Sequence, residues 1–154
     1  MTPNLLLHLV RAGLVTGVTD GLFSSALATF VYGSTVTRLW QGVASMLLGA
    51  AAFDGGTPTA AIGLAMHVGV AFAWSAVFLA LYLSSSWLRE VVASPYGVLA
   101  VAAVYGPIIW MVMSLAIIPL FTPRPPAINI RWWVQFFGHI PFVSLPIVAM
   151  IART

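Results

Sequence analysis

The sequence predicts an all-α transmembrane bundle of four spanning helices plus one short helix, in a single domain over residues 1–154. Hydrophobic residues make up 61% of the chain and charged residues 6%, against roughly 25% charged in soluble domains. Four apolar runs reach the roughly 20 residues that a helix needs to cross a bilayer core of about 30 Å. None alternates polar and apolar residues as barrel strands do, and lipid satisfies no backbone group, so helices are predicted.

The predicted spans are residues 10–31, 59–82, 96–120 and 132–151. Between the first two lies an apolar segment, residues 36–53, which is at the short end for a crossing. Its polar residues Arg38, Gln41 and Ser45 follow helical spacing and form one stripe. This pattern favours a short helix that lies in the interface or re-enters the membrane, with a fifth crossing as the alternative.

Three connections join these elements. Residues 54–58 (DGGTP) predict a turn that starts the second span with a proline near its first turn. Residues 84–95 contain a tryptophan, an arginine and a glutamate, which is typical of a short interfacial loop. Residues 121–131 predict an extended connection because of three prolines, namely Pro123, Pro125 and Pro126.

Charge and composition exclude several functions. The net charge of +3 comes from six arginines at the edges of apolar runs, where they anchor a membrane protein. They form no cluster that could follow a phosphate backbone, so the lipid bilayer is the predicted partner and nucleic acid is not. The sequence has no cysteine and therefore no disulfide, thiolate metal site or thiol nucleophile. No serine elbow, P-loop, His-Glu-x-x-His helix or carboxylate pair occurs, so no enzyme activity is predicted.

The arginines do not predict an orientation. Four crossings place three on each side, Arg11, Arg89 and Arg153 against Arg38, Arg124 and Arg131. The positive-inside rule therefore assigns neither side to the cytoplasm.

Each span carries one hydrogen-bonding or titratable side chain near its middle. Asp20, His67, Tyr105 and His139 lie within three or four residues of the centre of their own span, or about 5 Å. A polar group at this depth costs several kcal/mol if it faces lipid. We therefore predict that these side chains point inward and form a network, in which the aspartate accepts from imidazoles and the tyrosine hydroxyl completes it.

Neighbours at helical spacing support this network. Thr16 and Ser24 lie four residues on either side of Asp20, and Gln135 lies four residues before His139. The first span also has a seam of glycines at every fourth position for close helix packing, namely Gly13, Gly17 and Gly21. Prolines are expected to bend the third and fourth helices and make room for a cavity, namely Pro107, Pro119, Pro141 and Pro146.

Three interpretations of the network stay open. It is a polar clasp that fixes helix register, or it shapes a small cavity for binding or transfer of a proton or small molecule, or it holds a cofactor. For the third, His67 and His139 are candidate ligands of haem iron or of a metal, and Gly63-x-x-x-His67 is similar to chlorophyll-binding helices. The cavity is the functional prediction. The alternatives are a cofactor-binding bundle, or a structural or accessory subunit that packs against partner chains or its own copies.

Several short stretches of the sequence, taken together in their order and spacing, carry a family resemblance. They are Gly17-Val18-Thr19-Asp20, Gln41-Gly42-Val43-Ala44-Ser45 with Leu48-Gly49, Gly55-Gly56, Gly63-Leu64-Ala65-Met66-His67, Tyr105-Gly106, Val112-Met113, Pro119-Leu120, and His139 with Leu145-Pro146-Ile147. Together they resemble a family of uncharacterised small bacterial four-helix integral membrane proteins. The resemblance implies a multi-pass protein of the bacterial inner membrane. That family has no established activity, so the resemblance implies architecture and no function.

Overall fold

The computed structural model describes residues 3–122, 125 and 127–152, and this part of the chain is helical without a β-strand. The α-helices are α1 (Pro3–Ala26), α2 (Val36–Leu48), α3 (Gly56–Ser84), α4 (Ser86–Ala93), α5 (Gly97–Val112) and α6 (Ile130–His139). A π-helical turn continues α1 (Leu27–Val31), and a 3₁₀ turn follows α2 (Gly49–Phe53). Helix α5 continues through a π-helical turn (Met113–Ile117) into Ile118–Phe121, and α6 continues through a π-helical turn (Ile140–Ser144) into Leu145–Ile151. Four of them, α1, α3, α5 and α6, are long and apolar enough to cross a membrane. The predicted all-α bundle with four spans is confirmed.

The helices pack side by side in the order α2, α3, α1, α6, α5. Consecutive spans run antiparallel. At one end of the bundle His8 Nδ1 lies 2.9 Å from the Met150 carbonyl, joining the start of α1 to the end of α6. In the middle Ser144 Oγ of α6 donates to the Ala102 carbonyl of α5 at 2.7 Å. The fully buried core lies in the α4 half of the bundle, around Phe78, Ile109 and Ile147.

Helix α2 packs along the first half of α3. It begins at Thr35, whose side chain caps it by accepting from the Arg38 amide, and it ends at Gly49, which has a positive φ of 62°. The residues of the predicted polar stripe do not all face the same surroundings. Gln41 is buried and donates to the Gly56 carbonyl at 3.1 Å, whereas Arg38 is exposed and lies over the Phe53 ring at 4.8 Å.

The predicted loop at residues 84–95 contains helix α4. The Ser85 side chain caps its start by accepting from the Leu88 amide at 3.1 Å. Arg89 then donates to the Tyr82 and Leu83 carbonyls and satisfies the end of α3. The interfacial residues of this connection are therefore held by two helix caps. In the second connection Pro125 is described, while Pro123, Arg124 and Pro126 lie outside the described residues, as does Arg153.

Each of α1, α5 and α6 contains a π-helical turn, a local widening of the helix, and those of α5 and α6 lie in proline-containing stretches. Pro146 lacks the amide hydrogen that an α-helix would direct to the Phe142 carbonyl. Thr19 Oγ1 of α1 donates to this carbonyl instead, at 2.6 Å. Pro146 thus leaves one acceptor on α6 that a hydroxyl group of α1 satisfies.

Candidate functional site

A cavity of about 210 Å³ lies at mid-length between α1, α2, α3, α5 and α6. Its polar lining residues are Thr16, Asp20, Ser24, His67, Gln135 and His139. Most of the remaining lining is apolar or aromatic. A water molecule occupies about 30 Å³ in the liquid, and pockets for drug-sized ligands measure roughly 300–1,000 Å³. The cavity therefore fits several waters or one small molecule.

His67 is oriented by α1. Its Nε2 lies 3.1 Å from the Gly17 carbonyl, and because a carbonyl only accepts, Nε2 carries a hydrogen and donates it. The other ring nitrogen, Nδ1, then lies 3.8 Å from Asp20 Oδ2. This separation is longer than a hydrogen bond but within ion-pair distance.

This orientation limits how the two side chains can interact. In a neutral His67 with hydrogen on Nε2, Nδ1 has a lone pair, so it would face the Asp20 carboxylate as a second acceptor. One added proton removes the conflict, by forming either an imidazolium with a carboxylate or an imidazole with a carboxylic acid. Both side chains are only about 15% exposed, which strengthens their interaction. The geometry therefore favours a pair that carries one shared proton.

Asp20 has capacity for a further contact. Its Oδ1 is buried and has no hydrogen-bond partner among the described residues. The chain contains no lysine, and none of the described arginines lines the cavity. The two imidazoles are therefore the cationic partners available to this carboxylate in the described lining of the cavity.

His139 is oriented by its own helix. Its Nδ1 donates to the Gln135 carbonyl at 2.7 Å, so in the neutral ring Nε2 carries the lone pair. His139 is 7% exposed and lines the same cavity as Asp20. The Asp20 carboxyl group thus shares the cavity with two imidazoles from two different helices.

Tyr105 is not part of this group. Its hydroxyl donates to the Trp74 carbonyl at 2.8 Å, and its ring packs against Phe78 with centroids 5.1 Å apart. It does not line the cavity in the described structure. The prediction that the Tyr105 hydroxyl completes the network is therefore wrong. Tyr105 shares the depth of the network but faces α3 through the packed core, because depth along a span does not determine the direction of a side chain around the helix.

Each imidazole lies beside a tryptophan that the sequence analysis did not select. The Trp40 and His67 ring centroids are 5.0 Å apart, and those of Trp110 and His139 are 4.9 Å apart. An indole face stabilises an adjacent cation by roughly 0.5–2 kcal/mol. Trp110 lies within two residues of the centre of its predicted span, so the depth criterion could have found it.

The predicted supporting residues have separate roles. Thr16 lines the cavity and donates to the Val143 carbonyl at 3.4 Å, and Ser24 lines the same wall. Gln135 lines the cavity with its side chain, while its carbonyl orients His139. The glycine seam faces α3 and α2: a Cβ at Gly13 would meet Phe72, one at Gly17 would meet Val68 and Ala71, and one at Gly21 would meet His67 and Trp40.

The cofactor alternatives fit this geometry poorly. Among the described residues no three aspartate, glutamate or histidine side chains converge as a metal-ligand group, so the predicted two-histidine, one-carboxylate site does not form. A haem group is larger than the cavity of about 210 Å³ that His67 and His139 line. The two imidazoles therefore cannot ligate it from opposite sides in this arrangement.

Comparison with protein-family models, with curated proteins and with solved structures gives no match to this chain. The function is therefore argued from the cavity alone.

Proposed function

We propose that this chain is a multi-pass protein of the bacterial inner membrane that binds a proton on the Asp20–His67 pair and transfers it within the central cavity. The observation that carries the proposal is the orientation of His67. Because Nε2 is committed to the Gly17 carbonyl, Nδ1 faces the Asp20 carboxyl group at 3.8 Å, and the pair is complementary only when it holds a proton.

The surroundings support transfer as well as binding. His139 lines the same cavity and offers a second site for a proton, and a cavity of about 210 Å³ has room for bridging waters. Histidine changes its charge state readily near neutral pH, and acids and histidines inside a membrane commonly mark proton pathways. Asp20, His67 and His139 would then form a short relay across the cavity.

Infrared difference spectroscopy on the purified protein in lipid nanodiscs tests proton binding. Changing the pH should produce a carboxyl or imidazole proton signal that shifts in D₂O and disappears in both Asp20→Asn and His67→Gln. Asp54→Asn is the control, since Asp54 lies in the exposed turn before α3 and should leave the signal unchanged. A signal that persists in Asp20→Asn, in a variant that still elutes as a folded species, would overturn the proposal.

Proton transfer is tested separately in proteoliposomes that contain a pH-sensitive dye. An imposed pH gradient should dissipate faster with the native protein than with Asp20→Asn, while Asp54→Asn should behave as native. Equal rates for all three, at equal protein incorporation, would limit the role of the pair to binding.

A second candidate, an accessory subunit of a larger membrane complex or homo-oligomer, is favoured by one feature. Trp133 and Phe137 of α6 stack on each other with ring centroids 6.0 Å apart, and they are 44% and 60% exposed. Light scattering in detergent should give the mass of one chain under the first proposal. A stable assembly that Trp133→Ala and Phe137→Ala dissociate would support the second.

A further inference from the structure

A second pocket lies at the end of the bundle where α1 ends and α6 begins. Its volume is about 360 Å³, and we call it the vestibule. Its described lining includes Tyr32, Trp110, Ile118, Arg131, Trp132 and Gln135. Trp110, Ile118 and Gln135 line the central cavity too, so these three side chains form the wall between the two spaces.

Among the side chains that line the vestibule, Tyr32, Trp110 and Arg131 can donate hydrogen bonds. The Arg131 guanidinium lies over the Tyr32 ring, with its central carbon 4.4 Å from the centroid. Tyr32 Oη and Trp110 Nε1 are buried and have no hydrogen-bond partner in the described part of the chain. By contrast, the neighbouring Trp132 Nε1 donates to Ser114 Oγ at 2.9 Å.

Such unpartnered buried donors point to a ligand. Leaving a buried donor without a partner is unfavourable, and native structures contain few of them without a functional reason. No carboxylate is present in the described lining, while a guanidinium and two further donors are. This combination is complementary to an anionic oxygen group.

We infer that the vestibule binds the carboxylate of a small monocarboxylic acid, which takes up the proton of the Asp20–His67 pair as it enters the central cavity. This inference rests on the proposed proton site. An anion cannot pass inward unchanged, because the cavity beyond Trp110 is largely apolar and contains the Asp20 carboxyl group.

The proton balance selects the class of anion. One proton leaves His67 Nδ1, or the Asp20 carboxylic acid, and forms an O–H bond on the carboxylate, so the solute becomes neutral and the pair loses one proton. A monocarboxylate is fully neutralised by one proton. A phosphate dianion still carries one negative charge after it takes up one proton, and a phosphate monoanion is too weak a base to take a proton from an imidazolium or a carboxylic acid. The cavity volume of about 210 Å³ further limits the solute to a few non-hydrogen atoms.

Saturation-transfer NMR on the full-length protein in nanodiscs tests the ligand class with three probes of similar size. Propionate, ethylphosphonate and propanol are compared, with empty nanodiscs as the background. We expect transfer to propionate that exceeds transfer to the other two. Tyr32→Phe, Trp110→Phe and Arg131→Gln should each weaken propionate binding by roughly tenfold or more, as expected for a lost hydrogen bond to a charged group.

Arg38→Gln is the matched control. Arg38 likewise lies over an aromatic ring, that of Phe53 at 4.8 Å, but it does not line the vestibule. It should leave propionate binding unchanged. If one vestibule variant does not fold, the other two still test the site, since Tyr32→Phe keeps the ring beneath Arg131.

Several outcomes would overturn the inference. Propanol binding as well as propionate would show that no anion is recognised. Ethylphosphonate binding better, or a phospholipid that co-purifies and is displaced by it, would assign the vestibule to a phosphate, free or in a lipid headgroup. Propionate binding that is unaffected by all three variants would place the ligand elsewhere.

The proton site is measured independently, so the two failures can be separated. If the infrared signal of the Asp20–His67 pair is present and propionate does not bind, the inference fails and the proposed function stands. If propionate binds but Asp20→Asn retains the infrared signal, the proposed function fails and the vestibule remains an anion site. Under the full proposal, adding propionate should change the infrared signal of the native protein, and it should not do so in Arg131→Gln.

Discussion

His67 and His139 line the same cavity, yet the first hydrogen-bonds to a neighbouring helix and the second to its own. His67 Nε2 donates to the Gly17 carbonyl of α1, whereas His139 Nδ1 donates to the Gln135 carbonyl one turn earlier in α6. A bond between helices fixes the ring relative to α1, which also carries Asp20. The difference explains why His67 presents its free nitrogen to the carboxyl group at 3.8 Å and why we assign the proton to that half of the cavity.

The two halves share one packing device despite this difference. Near each imidazole a glycine allows two helix backbones to touch. A Cβ at Gly63, one turn before His67, would overlap the Trp40 carbonyl, and a Cβ at Gly106, one turn before Trp110, would lie 2.6 Å from the His139 carbonyl oxygen. In one half the glycine belongs to the histidine's helix, and in the other to the tryptophan's helix. Similar packing therefore supports two imidazoles with different hydrogen-bonding roles.

The largest expected effect comes from breaking this packing. Gly63→Ala and Gly106→Ala should each lower the free energy of unfolding by about 1–3 kcal/mol or more, because the added methyl meets a backbone that cannot rotate away. Thermal melting in detergent, followed by size-exclusion chromatography, measures the change.

Gly69→Ala is the control on α3, because no atom lies within 4 Å of its added methyl. It should be neutral or slightly stabilising, since alanine favours helix more than glycine does. If Gly106→Ala melts like Gly69→Ala while Gly63→Ala does not, the two halves are not packed alike.

The second prediction tests which imidazole interacts with Asp20 more strongly. A double-mutant cycle of Asp20→Asn with His67→Gln should give a coupling free energy of about 1–3 kcal/mol, in the range for directly interacting groups. The cycle with His139→Gln should give a smaller value, because among the described residues His67 is the basic side chain with a nitrogen within 4 Å of the carboxylate. Reversible unfolding in mixed detergent micelles provides the four free energies of each cycle. A larger coupling to His139 would move the proton site to the other half.

The extent of sequence-based prediction differs between these features for physical reasons. Hydropathy predicted the four spans, because lipid constrains composition over some 20 residues at a time. Counting depth selected Asp20, His67 and His139, which do line one cavity, but it also selected Tyr105, which faces the core. Depth describes position along a helix, whereas the direction of a side chain depends on which helices are neighbours.

The vestibule was not predictable in this way. Tyr32 and Arg131 lie about 100 residues apart, just past the end of one span and just before the start of another, so the topology places both at one end of the bundle without showing that they are neighbours. Their meeting depends on α1 packing against α6. Helix α4 was missed for a local reason, since its charged and aromatic residues resemble a loop unless Ser85 is recognised as a cap.

The third prediction compares two neighbouring tryptophans in the His139 half. Trp132→Phe should lower the free energy of unfolding by about 0.5–1.5 kcal/mol more than Trp110→Phe does. The same substitution is made at both sites, but Trp132 Nε1 donates to Ser114 Oγ, whereas Trp110 Nε1 has no partner in the described residues. Thermal melting without added solute measures the difference. Equal losses would mean that Trp110 also donates a hydrogen bond in the solute-free protein, which would weaken its assignment as a ligand donor.

The smallest expected effect concerns the hydroxyl bonds that hold α1 to the His139 half. Thr19→Val should cost about 0.6 kcal/mol, the average for polar contacts between membrane helices, and no more than about 1.7. The removed hydroxyl donates at 2.6 Å to the Phe142 carbonyl, which Pro146 leaves without its helical donor. Thr37→Val, at an exposed position of α2, is the control and should be neutral. Because Thr19 lies on the α6 side of α1 and Gly17 accepts from His67 on the α3 side, the variant should lower stability without altering the Asp20–His67 infrared signal. A changed signal would show that the two faces of α1 are coupled and that the hydroxyl bond helps to position Asp20.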